Sequence, residues 1–418
     1  MVVETTRPGY KVTEIGEIPE EWEVEKLGNP KVSTVIMGQS PPSSSYNEQN
    51  KGLPFLQGNA DFGAIYPKTS IYCTKPMKTA TKADILISVR APVGELNISP
   101  FECIIGRGLA AIRSVDKHTD GKYLYYYLRN NVKRLRALSA GSTFEAVGKN
   151  TMMNFGIALP SFTEQQKIAK ILSGTDSLIE SLDKLITKKK NIKQGLMQTL
   201  LTRGIGHTKF KKTEIGEIPE EWNLINLGNP EISINTKAGG TPLRSRREYY
   251  ENGTIPFVKI EDIVKAGKYL HRTNEKVTEK GIKNSSSWIA PESSILFSMY
   301  ASYGELSINI IPVAMNQAIL SIELNKANVD LNYLYYYLKS LKPKLNMYLR
   351  STTQSNLNGR IVRSLLIPIP HFSEQQKIGK TLSDVDNEIE TLEQKRDKYK
   401  LLKTGMMQQL LTGGIRVR

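Results

Sequence analysis

The chain has 418 residues, 39% of them hydrophobic and 23% charged, enough for two ordinary domains with buried cores. Its 57 Lys and Arg against 41 Asp and Glu leave a formal charge of +16, which favours a polyanionic partner such as nucleic acid. The sequence has no apolar run of about 18 residues to span a membrane, its opening MVVETTRPGYK lacks the apolar stretch of a secretory signal, and two scattered cysteines, Cys73 and Cys103, suit a reducing cytoplasm better than a metal cluster, with one disulfide as the alternative.

TEIGEIPEEW stands at Thr13–Trp22, followed by LGNP at Leu27–Pro30. Short apolar runs at Ala83–Val89 and Ile104–Ile112, set between turn-rich stretches, predict strands. Asp120–Leu135 predicts an amphipathic helix, and the leucines among its tyrosines (YLYYYL, Tyr123–Leu128) predict core packing rather than stacking on bases. The same text then returns. TEIGEIPEEW recurs unchanged at Thr213–Trp222 and LGNP at Leu227–Pro230. Strands are predicted at Ser293–Met299 and Gln317–Leu324, and a second tyrosine helix at Asp330–Leu345. The offset between copies is 200 residues at the start and 210 from YLYYYL onward, so the second copy is longer, mostly between Ile255–Phe257 and Ser293–Leu296. So long a period indicates two complete domains of one kind, related by a pseudo-twofold axis as the subunits of a dimer would be.

Each copy closes on a long predicted helix. FTEQQKI and FSEQQKI offer Thr163 and Ser373 as N-caps, with Gln166 and Gln376 at capping-box spacing. In the first helix Ile168, Leu182 and Leu196 share one heptad row with Thr175 and Lys189. Leu172, Ile179, Ile186 and Leu200 form a second row, and Ile171, Leu178, Leu185 and Ile192 a third. In the second helix Ile378, Val385, Leu392, Tyr399 and Met406 make one row, and Leu382, Ile389 and Leu410 the next. All these apolar residues are expected in a helix–helix core of coiled-coil type, interrupted at Thr175, Lys189, Arg396 and Lys403. From Glu164 to Thr202 the first helix would be about 58 Å long. Gly195 and Gly405, mid-helix, predict close approach of the other helix or of a partner. The expected organisation is α+β: mixed domains at 1–160 and 206–370, with long coiled-coil helices at 161–205 and 371–418.

No chemistry-bearing motif emerges. A GxxxxGK[ST] phosphate loop is absent, and GRGLAA (Gly106–Ala111) lacks a surrounding βαβ unit. His118, His207, His271 and His371 are isolated, which predicts no metal site. The GNP segments lack the second proline and the aromatic residue of the amino-methyltransferase signature.

Taken together, the paired GEIPEEW openings, the segments Gly38–Gly63 and Gly239–Ile263, and the P-x-x-x-EQQKI closings followed by GLMQTLLT or GMMQQLLTGGIRVR resemble the specificity subunit of type I restriction–modification systems over nearly the whole chain. That resemblance implies two target-recognition domains, each reading one half of a split, asymmetric duplex DNA site. It implies antiparallel helices that set the gap and hold two methyltransferase subunits, joined where present by two restriction subunits. S-adenosylmethionine would sit on the methyltransferase, and ATP and Mg on the restriction partner. This chain would bind no cofactor and catalyse nothing. The alternative is a coiled-coil adaptor with nonspecific DNA affinity.

Base reading needs polar side chains at groove edges, arginine to guanine and asparagine or glutamine to adenine being favoured pairings. The candidates in the first half are Gln39, Ser40, Arg90, Arg107, Ser142, Thr143 and Lys149. In the second half they are Thr241, Arg244, Arg246, Lys259, Gln354, Asn356, Asn358 and Arg360. The family often shows NQG or NQA where the first half has Gly106-Arg107-Gly108; the second half keeps Asn316-Gln317-Ala318.

Overall fold

The structure is a computed structural model that describes residues 7–138, 146–300, 304–350 and 357–417, with the backbone alone at 346–350. Its contacts divide the chain into two units, Met1–Asp183 with Gln394–Arg418, and Lys184–Glu393. Each unit therefore holds the start of one long helix and the end of the other. The first long helix runs Phe162–Arg203 and the second Phe372–Leu410.

In the first unit the repeated opening is a hairpin, Tyr10–Thr13 paired antiparallel with Gly16–Pro19. The Thr13 hydroxyl donates to the Gly16 carbonyl at 2.6 Å and closes the turn. Trp22, at the end of the motif, is wholly buried, and its indole N–H donates to Glu164 Oε2 at 3.2 Å. The neighbouring Gln165 is buried too. It accepts the Asp120 amide and donates to the His118 and Pro160 carbonyls, fixing the start of the tyrosine helix to the start of the long helix. The second unit repeats every one of these bonds. Thr213 closes onto Gly216, Trp222 donates to Glu374, and Gln375 accepts from Asp330 and donates to Asn328 and Pro370. The retained opening and the start of the tyrosine helix thus both bond the retained EQQ segment.

Two larger sheets, beside a two-stranded one, build the rest of each unit. In the first, a four-stranded antiparallel sheet has the order Leu96–Ile98, Ile85–Ser88, Leu109–Ser114, Ser33–Met37. A five-stranded sheet contains Cys103–Ile105 running parallel to Leu53–Leu56. Strand Ile85–Ser88 is buried on both faces, and its side chains alternate. Ile85 and Ile87 join the tyrosines, whereas Leu86 joins Leu56 and Ile105. The second unit has the same parallel pair, Ile255–Val258 with Val313–Met315, and the same alternation at Ile295, Leu296 and Phe297. Its extra residues supply the helix Ile260–Ala266 and the strand Tyr269–Leu270. As expected, the tyrosines are core: Tyr123, Tyr125, Tyr126 and Tyr127 are all buried, as are Tyr333, Tyr335, Tyr336 and Tyr337. Cys73 and Cys103 are free and buried, and burial pushes the Cys103 thiol up to about 11.

The tyrosine helix is clasped by both long helices. Tyr126 donates its hydroxyl to Asp176 Oδ2 at 2.7 Å, and Lys403 binds the other oxygen at 2.5 Å while lying 5.3 Å from the Tyr126 ring centre. The second unit repeats the triad with Tyr336, Asp386 and Lys193. The helices run antiparallel within each unit, since Lys189 pairs with Glu388 and Lys193 with Asp386 in the second, and Asp176 with Lys403 and Asp183 with Arg396 in the first. Two of the expected rows form the seam. Ile168, Leu172, Leu182, Ile186, Ile378, Leu382, Ile389 and Leu410 are buried, and Ile179, Leu196, Leu200, Val385, Leu392, Tyr399 and Met406 are half-buried. Three of the four polar interruptions are ion-paired, Lys403 with Asp176, Arg396 with Asp183 and Lys189 with Glu388, and the Thr175 hydroxyl donates to the Ile171 carbonyl.

The third row is a correction. Ile171, Leu178, Leu185 and Ile192 are 37%, 37%, 38% and 42% exposed, because a two-helix seam takes two positions per heptad and leaves a third row on the outside. The caps also differ from expectation. Both helices begin at phenylalanine, and in the first the Glu164 amide bonds the Ser161 hydroxyl, so the cap is Ser161 rather than Thr163. A methyl group added at Gly195 or Gly405 would meet nothing within 4 Å among the described residues, so no close approach of the helices explains these glycines. Beyond the helix ends, Gly204 and Gly413 take φ of +65° and +74°, the left-handed geometry that favours glycine there.

Two expectations follow. Asp176→Ala leaves Lys403 buried without its carboxylate and should cost about 3 kcal/mol in chemical denaturation, much of it recovered in Asp176→Leu/Lys403→Met; equal stability of the single variant and the parent would contradict the clasp. Burial alone would raise the Glu164 carboxyl, but the hydrogen bonds and charge of Arg416, the Val417 amide and the Trp22 indole outweigh it and hold the group below its ordinary 4.5. A depressed carboxyl stabilises the fold above its unfolded value and loses that contribution as pH falls through the folded value. The thermal midpoint should therefore fall below about pH 4.5 in the parent and fall less steeply in Glu164→Gln.

Candidate nucleic-acid interface

In the first unit the strand register gathers several loops at one edge. Met37 lies opposite Ala110 and Ser88 opposite Leu109, so two strands end where the third begins. The turn at Gly106–Gly108 crosses from the five-stranded sheet into the four-stranded one at that edge. Backbone bonds then draw the loops together: Gly38 N to Leu109 O, Gln39 N to Ile105 O, Val89 N to Gly108 O and Val147 N to Val89 O, each at 2.9 Å. Arg90 bridges Ala146, and the Arg107 amide donates to the Ser40 hydroxyl at 3.2 Å. A methyl group on Gly38 would lie 2.1 Å from the Gly106 carbonyl, so only glycine lets these loops approach.

Four sequence candidates thus meet in one cluster, Gln39, Ser40, Arg90 and Arg107, and Lys149 starts the helix Lys149–Met153 just beyond Val147. Gln39, Arg90, Arg107 and Lys149 are exposed. Among the described residues neither the Arg90 nor the Arg107 guanidinium makes an ion pair. Ser142 and Thr143 lie outside the described residues.

The second unit builds the same edge from different side chains. Gly239 N bonds Ile319 O, Gly240 N bonds Met315 O, and Met299 N bonds Ala318 O. The Thr241 hydroxyl donates to Gln317 Oε1, occupying the place of the Ser40–Arg107 bond. Gln317 is exposed at the turn; it was legible only as the counterpart of Arg107 and not as a site residue by its own neighbours. Lys259 follows the strand whose Val258 carbonyl accepts the Asn316 amide, which places it beside that turn.

Three candidates here have partners that alter their roles. The Arg244 guanidinium forks onto both oxygens of Glu275, is 4.5 Å from the Tyr250 ring centre, and shares Glu275 with Lys259 at 2.7 Å. Burial would raise the Glu275 carboxyl, but these two cations hold it low. The fork of Arg244 is thereby committed, and a bidentate contact to guanine would first have to break it. Asn358 has a structural role as well: its side-chain oxygen accepts the Arg360 and Ile361 amides, both at 3.0 Å, and caps the helix Gly359–Arg363. Arg360 in that helix and Arg246 are exposed. Gln354 and Asn356 lie outside the described residues.

Each edge therefore presents exposed cations, amides and hydroxyls on a backbone fixed by two sheets, an arrangement suited to hydrogen-bonding a polyanion. Among the described residues no group of three or more His, Cys, Asp or Glu is placed to hold a metal, and no helix is long and apolar enough to cross a membrane.

Comparison with known proteins agrees with this two-fold plan. The chain matches the family described as "Type I restriction modification DNA specificity domain" twice, over residues 19–194 and 219–400. It is 49% identical over 193 residues to the putative type I restriction enzyme MjaX specificity subunit of Methanocaldococcus jannaschii, covering 46% of this chain and 45% of that one. It is 28% identical over 411 residues to the type I restriction enzyme MjaVIII specificity subunit of the same organism, covering 96% and 94% of the two chains. The fold resembles the crystal structure of the type I restriction-modification S subunit from M. genitalium, with a TM-score of 0.61 at 18% identity and coverage of 96% and 98%.

Gly38→Ala should force the two loops of the first edge apart and cost about 1–3 kcal/mol in thermal unfolding. Gly195→Ala, which meets open space on a helix, should instead stabilise the chain by up to about 1 kcal/mol. A neutral Gly38→Ala would show that the loops do not need their close approach.

Proposed function

The chain belongs to the family of type I restriction–modification DNA specificity subunits, with one copy of the family domain in each half, and from that premise we propose that each unit reads one half of a split, asymmetric site in duplex DNA. The observation that carries this reading is the pair of loop edges, alike in backbone and unlike in side chains: Ser40 with Arg107 in one, Thr241 with Gln317 in the other. A common backbone gives a common way of docking on the duplex. Different side chains give different half-sites, through base edges in the major groove. Arg90, Lys149, Arg246 and Arg360 then serve phosphate, which fixes register and carries the salt dependence.

The long helices set the gap. A 42-residue helix is about 63 Å long, enough to hold two reading heads one or more turns of DNA apart, a turn being about 34 Å. The exposed row of Ile171, Leu178, Leu185 and Ile192 along the first helix, left over from the seam, suits the apolar face of a helix from a methyltransferase subunit. Two methyltransferase subunits supply S-adenosylmethionine and the reaction, and restriction subunits, where present, supply ATP and Mg. The chain itself acts in the cytoplasm as a non-catalytic reader.

Selection of bound duplexes from a randomised pool, with the methyltransferase partner at moderate salt, should recover two unlike half-sites at a fixed gap. Recovery of no motif would leave a coiled-coil adaptor with nonspecific affinity. Leu178→Asp with Leu185→Asp should abolish capture of the methyltransferase and leave the thermal midpoint of the free chain within about 1 °C, because surface substitutions cost little; unimpaired capture would remove this row from the docking surface.

A further inference from the structure

We propose that Arg107 reads a guanine in the half-site met by the first unit, at a place where the second unit, with Gln317, makes no such demand. This rests on the two loop edges being the DNA-reading heads.

The backbone at Arg107 is held on every side. Gly106 N bonds Leu56 O at 2.8 Å, Leu109 N bonds Gly106 O at 3.0 Å, and the Arg107 amide itself bonds Ser40. Methyl groups on the flanking Gly106 and Gly108 would lie 3.0 and 2.9 Å from the Gln57 carbonyl, so the turn is pressed against the end of a strand. A long side chain on a fixed, exposed turn is pre-organised at its root and has its guanidinium to spend on a ligand.

Arg113 and Arg136 of the same unit have spent theirs, and among the described residues Arg90 has not. Arg113 is bound to Asp84 through two nitrogens, and Arg136 bonds the Val93 carbonyl and Glu95. In the second unit Arg244 is consumed by Glu275. The planar fork of arginine matches the two acceptors, O6 and N7, that guanine shows in the major groove, a match that a solvated lysine or a phosphate-bound arginine does not exploit. Arg90 shares the exposure of Arg107, but its counterpart Tyr300 carries a phenol in place of an amide or guanidinium, so the exchange there is less direct. At position 107 the comparison is direct, since the second unit carries glutamine on a turn fixed by the corresponding bonds, and so Arg107→Gln keeps a side chain that this turn is known to hold.

The test repeats the duplex selection on the intact complex with the parent, Arg107→Gln and Gln317→Arg. Arg107→Gln should lower a guanine preference at one position of one half-site by about tenfold or more, with the other half-site and the gap unchanged and the thermal midpoint unaltered. Gln317→Arg should create a guanine preference in the other half-site. A parent that selects no split motif overturns the two-head reading and this assignment with it. A parent with a split motif that survives unchanged in Arg107→Gln, or is weakened equally on all sequences as loss of a phosphate contact would do, overturns the assignment alone.

Discussion

Each unit is closed by buried or half-buried carboxylates that accept from both ends of the chain's helical repeat. Glu164, 4% exposed, takes the Trp22 indole from its own half and Arg416 from beyond the end of the second long helix. Glu374 takes Trp222 and, from beyond the end of the first long helix, His207 and the Ile205 amide. Asp176 and Asp386 do the same one step along, each shared by a tyrosine of the mixed domain and a lysine of the opposite helix. A buried carboxylate without its donors is costly, most of all at Glu164, and the bonds of all four residues form only when both helices are present and antiparallel. Neither half of the sequence can supply a whole unit alone.

That constraint separates the residues free to change from those that are not. The hairpin, the indole, the EQQ triplet and the tyrosine helix bond one another and are repeated almost letter for letter. The loop edges are anchored through backbone atoms: Gly38 and Gly239 to a strand, Gln39 and Gly240 to the neighbouring one. Backbone anchoring tolerates different side chains that point outward, and thus Ser40 can become Thr241 and Arg107 become Gln317 without disturbing the fold, whereas Gly240, pressed against Ser286 and Ser287, has no room for the side chain of its counterpart Gln39. The division suits a reader whose alphabet changes while its frame is kept.

Much of this was legible in the residues themselves. Periodicity located both long helices and two of their three apolar rows, because a heptad seam writes itself into the sequence. It could not say which two rows pack, since Ile171 and Leu178 are as apolar as Leu172 and Ile179, and the choice is made by the partner helix. The tyrosine runs announced a core through their leucine neighbours, but their bonds to Asp176 and Asp386, fifty residues away in each case, carry no local signal. The loop edges were legible as polar, turn-rich stretches. Which candidates keep free side chains was not: Glu275 captures Arg244 and Lys259 from more than ten residues away, and Asn358 is an N-cap whose helix of five residues is too short to show a period.

The paired helices are assigned as the measure of the gap between half-sites, and their length can be changed without touching the reading edges. The most direct measurement inserts seven residues after Asp183 and seven after Glu393, where the units divide, and determines the selected duplex motif of the complex. A heptad keeps the seam in register and adds about 10 Å, or roughly three base pairs. Unchanged half-sites separated by a wider gap are the expected result. An unchanged gap, or altered half-sites, would contradict the assignment of the helices as the ruler and of the loop edges as the only readers.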